Sequence, residues 1–181
     1  MISYLHNSNW IDISREERLF CAHLYFDIKK DIKRFIEFLN KKNDSIKNDI
    51  DIEWEIAYEV CFYRDWLKSI NQSIKDKPDY PQKRTFDLCL FSENKIIIIE
   101  AKAQQVFQTI QNESFKKDIT VIQKMFSEFK PETKITIEYC FLGQSKNIDK
   151  EYDLDVQYKI SWREMFVLYN DTIYNRADVC I

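Results

Sequence analysis

With one glycine, Gly143, in 181 residues, the chain cannot carry two common nucleotide-binding devices. A P-loop and a GxGxxG fingerprint each need several glycines to bring backbone close to phosphate. Histidine is nearly as scarce: His6 and His23 are the only two, and neither has a partner at metal-ligand spacing. Nothing favours Ser/His/Asp or Cys/His catalysis. The five cysteines (Cys21, Cys61, Cys89, Cys140, Cys180) form no CxxC pair. Most sit in apolar stretches, so they read as reduced thiols in or near a core rather than as a zinc site. No run approaches a transmembrane length, and the N-terminus lacks an uninterrupted apolar segment of signal-peptide type. Cytoplasmic location, with no membrane partner, is the expectation. Charge of neither sign dominates. A net charge of -3 gives no support for strong sequence-independent nucleic-acid binding, and leaves room for a local basic groove.

What is present suits a single domain spanning residues 1–181, with 45% apolar and 15% aromatic residues to fill a core. Phe20, Leu24, Ile28, Ile32, Phe35 and Leu39 predict one amphipathic helix from 14 to about 40, opened by a Ser14/Glu17 capping box. Residues 54–70 fit both a strand and a helix, read here as a strand passing into a helix near Arg64-Asp65. A loop at 71–82 holds Pro78 and Pro81. After a hairpin at 84–103, Phe115, Ile119, Ile122, Phe126 and Phe129 predict a helix over 113–129, which Pro131 ends. Strands follow at 135–142 and, after a loop at Gly143, at 156–160. Ser161 and Glu164 form a second capping box opening a short helix. This order predicts an α/β fold with a mixed sheet and helices on both sides, its core at about 14–142 and a C-terminal strand and helix at 156–170.

The hairpin carries the chemistry. Its second strand is the run Ile96-Ile97-Ile98-Ile99-Glu100-Ala101-Lys102. If Ser92 pairs with Lys95 across a turn centred on Glu93-Asn94, Asp87 falls opposite Glu100. Alternation sets Glu100 and Lys102 on one face, with the facing Cβ atoms about 5 Å apart. Two carboxylates and an ammonium on one patch beside an apolar strand are expensive unless a metal ion uses them. The plainer reading is a surface ion-pair patch, worth little in stability.

Asp87 after Thr85-Phe86, followed by Glu100-Ala101-Lys102 within this element order, resembles the PD-(D/E)xK nuclease superfamily, which has a restriction-endonuclease-like three-layer fold. Phe86 stands where the family's nominal proline would be. The resemblance implies a Mg²⁺-dependent nuclease, with Mn²⁺ a substitute. Its metal ligands would be Asp87, Glu100 and the Ala101 carbonyl, and Lys102 would serve catalysis. Helical phasing puts Glu17 in the apolar arc of the first helix, where many members place a further metal-site glutamate; capping alone is the competing reading. Gln104, two residues beyond Lys102, would share its face if the strand continues, and related nucleases often carry a glutamine there. Glu55 and Glu59 are weaker candidates, and Asp79 (a literal Pro-Asp) lies in a loop without strand patterning. Lys83-Arg84, Lys116-Lys117 and Lys146 offer contacts for a nucleic-acid backbone, or simply form solvated faces. By analogy the partner is DNA before RNA, and a homodimer is allowed. The alternatives are a non-catalytic interaction or nucleic-acid-binding protein that keeps this fold, and a metal-dependent hydrolase with another substrate.

Overall fold

The computed structural model describes residues 16–104, 110–148 and 156–179. Ser14, His6 and Cys180 lie outside them. Phe20, Leu24 and Ile28, four residues apart, lay an apolar stripe along α1 (Glu17–Lys30) and are fully buried. The single long helix expected from the spacing is in fact two, because α2 (Ile32–Lys42) starts afresh after Asp31. Asp31 makes the break. Its backbone leaves the helical region (φ −149°, ψ 77°), and its carboxylate accepts the Arg34 N–H at 3.2 Å as N-cap of α2. The Ser14/Glu17 capping box falls in part outside the described residues; among them α1 has Glu16 as its N-cap, with no side-chain cap bond.

Both readings of 54–70 hold in turn. Strand β1 (Glu55–Val60) contains Glu59 at φ 52°, and α3 (Phe62–Ser69) follows at once. The proline-bounded loop includes a 3₁₀ turn, Ile74–Asp76. Next come β2 (Phe86–Phe91), β3 (Lys95–Ala101), α4 (Ile110–Phe129), β4 (Thr136–Gly143) and a single turn, α5 (Ser145–Ile148). The chain closes with β5 (Tyr158–Ser161), α6 (Trp162–Tyr169) and α7 (Ile173–Ala177). The Ser161/Glu164 capping box opens α6 as expected. Gly143 ends a strand rather than forming a loop; a Cβ there would lie 2.7 Å from the Phe141 ring, so its place is dictated by space.

The strands form one sheet in the order β1-β2-β3-β4-β5. Strands β1, β2 and β3 are antiparallel neighbours, whereas β4 and β5 run parallel to β3. The hairpin register is the expected one, with Leu88 opposite Ile99, Cys89 opposite Ile98 and Leu90 opposite Ile97. Strand β3 is central, and its isoleucines serve both faces, which is why it reads as an unbroken apolar run. Ile97 and Ile99 join a core with α1, α2, α6 and α7. Ile96 and Ile98 join another with α3 and α4. Helices therefore cover both faces of a mixed sheet. Among the described residues no helix is long and apolar enough to cross a membrane.

Candidate functional site

Strand pairing stops at Leu88 and Ile99, which leaves Asp87 and Glu100 as the next facing residues. Alternation sets both on the face of Cys89, Ile96 and Ile98, under α4. Asp87 stands in for a ladder partner: its Oδ2 accepts the Ala101 N–H at 2.8 Å. Glu100 is only 6% exposed, and its Oε1 accepts from Arg84 Nη2 at 2.5 Å.

Strand β3 ends at Ala101, but Lys102 is held on both sides of its peptide. Its N–H donates to the Leu142 carbonyl at 2.8 Å, and its carbonyl accepts from Trp162 Nε1 at 2.9 Å. The Lys102 ammonium donates to Glu17 Oε1 at 3.0 Å and to the Ala101 carbonyl at 2.8 Å. Glu17 Oε2 accepts the Ala103 N–H at 3.1 Å. The carboxylate that phasing singled out on α1 thus reaches the end of β3, with both oxygens occupied by protein donors.

These groups feel one another's charge. Burial pushes the Glu100 carboxyl up to about 8; Arg84 and Lys102 pull it back in part, and Asp87 adds to the rise. Burial likewise raises Glu17 against the pull of Lys102. For Lys102, burial works against the charge, but Glu17, Asp87 and Glu100 outweigh it and hold its pKa above the usual lysine value. Lys102 is therefore an ammonium at neutral pH. In that form it can offset nearby negative charge but cannot accept a proton.

Glu100 also gives stability a pH dependence. The folded state holds its proton more tightly than the unfolded chain, whose value is 4.5. Its contribution is fully present below about pH 4.5 and is lost as pH rises through about 8. Urea midpoints of the wild type should fall across that window relative to those of Glu100→Gln. Equal slopes in the two proteins would rule this out.

The other candidates are not drawn in. Gln104 lies beyond the end of β3 at φ 58°, so the strand does not continue to it. Its Nε2 donates to the Arg176 carbonyl at 3.0 Å and its N–H to the Ala177 carbonyl at 3.1 Å, which ties it to α7. Glu59 lies across from Asp87 on β1 but pairs with Arg18 at 3.2 Å, and Glu55 is exposed. Asp79 is on the surface, 2.7 Å from Lys124. His23 faces Asp171 at 3.9 Å.

Sequence reasoning missed Asp118 and the part that Arg84 plays. Asp118 is buried on α4 between Phe115 and Ile122, and its carboxylate meets Arg84, Tyr63 and Tyr139. Its position on the apolar face of that helix was a readable signal, the same one that marked Glu17. A groove of about 630 Å³ lined by Phe62, Trp66, Phe91 and Phe126 opens near Ser92 and Glu93, at the opposite end of the hairpin from the carboxylates.

Among the described residues no group of three or more His, Cys, Asp or Glu side chains is arranged to hold a metal. Mg²⁺ does not need one. It is usually bound through one or two carboxylates, keeps several waters and takes oxygen from the substrate. Asp87, Glu100 and the Ala101 carbonyl supply donors of that hard-oxygen kind. No protein hydrogen bond engages Asp87 Oδ1 or Glu100 Oε2 among the described residues. In donor type these groups suit such an ion, and the Ala101 carbonyl now accepts from the Lys102 ammonium. Comparison of the chain with protein-family models, curated proteins and solved structures found no match.

Proposed function

We propose that this chain is a Mg²⁺-dependent nuclease of the PD-(D/E)xK superfamily, with a restriction-endonuclease-like fold, that hydrolyses phosphodiester bonds of DNA. One observation carries the reading. Asp87 and Glu100 face each other at the end of adjacent strands, and the Lys102 ammonium lies 2.8 Å from the carbonyl of Ala101, the residue after Glu100. The order of two helices, a strand, a helix, an antiparallel hairpin, a helix and a parallel strand adds support. So do the exposed Lys83 and Lys117, each next in sequence to a residue of the Arg84–Asp118 pair. The choice of DNA rests on analogy with the superfamily.

In this reading Asp87, Glu100 and the Ala101 carbonyl hold the metal. When bound, the metal polarises the phosphoryl oxygen and lowers the pKa of a water. The chain's own residues do the rest. Lys102 places a fixed positive charge where negative charge develops on the phosphate. Glu17 fixes that ammonium with one oxygen and the following backbone with the other, which makes it a positioning group rather than a ligand. Gln104, turned toward α7, has no part in the reaction.

A second reading, a non-catalytic interaction protein of the same fold, is favoured by one fact: Glu100 and Glu17 already have internal cations, Arg84 and Lys102. Incubating plasmid and linear DNA with the protein separates the two readings. Cleavage that requires Mg²⁺ or Mn²⁺ and falls to background in Lys102→Met supports the nuclease. Absence of any divalent-dependent cleavage across DNA and RNA substrates, with no metal-linked rise in Tm, supports the non-catalytic protein.

A further inference from the structure

The segment ahead of β2 delivers one guanidinium into the gap between β3 and α4. Arg84 Nη2 reaches Glu100 Oε1 at 2.5 Å, Nε reaches Asp118 Oδ2 at 2.9 Å, and Nη1 reaches the Thr85 carbonyl at 3.2 Å. The guanidinium carbon lies 4.7 Å from the centre of the Phe86 ring. Asp118, 4% exposed, is fixed in turn by the Tyr63 hydroxyl on Oδ1 at 2.8 Å and the Tyr139 hydroxyl on Oδ2 at 3.2 Å. The fork is thereby located from α3, α4 and β4 together.

We infer that Arg84, anchored on Asp118, is a positioning residue that aims the Glu100 carboxylate. This rests on the nuclease reading and names a residue that reading does not use. Three acceptors in different directions need a planar, multi-donor cation, which lysine cannot imitate. Burying these charges is not explained by stability, since apolar side chains of similar volume usually serve a core at least as well. The division of the carboxylate oxygens points to aiming instead. Arg84 takes Oε1 of Glu100 and the Ala101 N–H takes Oδ2 of Asp87. Among the described residues the second oxygen of each carboxylate accepts no protein hydrogen bond. Holding a carboxylate by one oxygen while leaving the other for a ligand is how outer groups orient metal-binding residues.

Titration calorimetry with Mn²⁺ on the full chain tests this, alongside the Tm of each variant. Arg84→Ala should weaken Mn²⁺ binding about 10- to 100-fold, the usual consequence of losing an orienting partner. Arg84→Lys keeps the charge but cannot span Glu100 and Asp118, so it should recover only part of that loss. If Arg84→Ala does not fold, the lysine variant decides. Asp118→Asn should weaken binding through Arg84. In a Glu100→Gln background, Arg84→Ala should cause no further loss, because both changes act through one carboxylate. Unchanged Mn²⁺ affinity in Arg84→Lys, with only Tm lowered, would make the residue structural and overturn the inference. A wild type that binds no Mn²⁺ at millimolar concentration would overturn the nuclease reading, and this inference with it.

Discussion

Asp87→Asn is expected to lower Mg²⁺-dependent DNA cleavage by roughly 10²- to 10³-fold while the protein stays folded, the size of loss that follows removal of one preorganised electrostatic partner. The substitution is close to isosteric. Asparagine keeps an oxygen that can accept the Ala101 N–H, now held by Asp87 Oδ2 at 2.8 Å, so the end of β3 should remain tied to β2. What disappears is a negative charge beside Glu100 and Lys102. Losing it relieves Glu100 of a repulsive neighbour and strips the proposed ion of a ligand. Folding and function should therefore separate, with Tm near that of the wild type and kcat reduced to near background. Cleavage that persists at the wild-type rate would remove Asp87 from the chemistry.

Trp162→Ala should produce the largest loss of stability, about 3–5 kcal/mol, as expected for truncating a fully buried aromatic side chain. In a chain of this size that is a fall in Tm of about 6–20 °C. Trp162 stacks on Tyr174 at 6.0 Å with ring planes 14° apart and meets Phe20 at 6.1 Å, which joins α6 to α7 and α1. Its Nε1 also donates to the Lys102 carbonyl at 2.9 Å, so the alanine variant leaves a cavity and an unpaired carbonyl together. Trp162→Phe separates the two effects. It keeps most of the ring volume, should cost about 1 kcal/mol, and should loosen Lys102 more than it loosens the core. Thermal unfolding of both variants checks this; a Tm within 2 °C of wild type for Trp162→Ala, about the least that 1 kcal/mol produces, would be incompatible with its packing.

The β2–β3 hairpin was legible because two independent signals agreed. A symmetric polar turn at Glu93-Asn94 set the register, and the isoleucine run marked a strand buried on both faces. Helical phasing located Glu17, and the Ser161/Glu164 box located the start of α6. The break at Asp31 was hidden because the apolar spacing runs on through Ile32 and Phe35. Only the cap bond to Arg34 stops the helix, without a glycine or proline to announce it. The end of β3 was hidden for a different reason. Gln104 turns out of the strand into bonds with residues 176 and 177, far away in sequence, and a local pattern contains no trace of them. Arg84 looked like any surface cation. Its value came from Asp118, and Asp118 could have been found by asking which charged residue lies on the apolar face of α4.

Crystals soaked in Mn²⁺ and measured at the manganese absorption edge test the proposed site most directly. An anomalous peak bounded by Asp87, Glu100 and the Ala101 carbonyl is expected, with the Lys102 ammonium moved off that carbonyl, which it now contacts at 2.8 Å. No peak at saturating Mn²⁺, with Lys102 still bonded to Ala101 and Glu17, would contradict a metal centre at this hairpin.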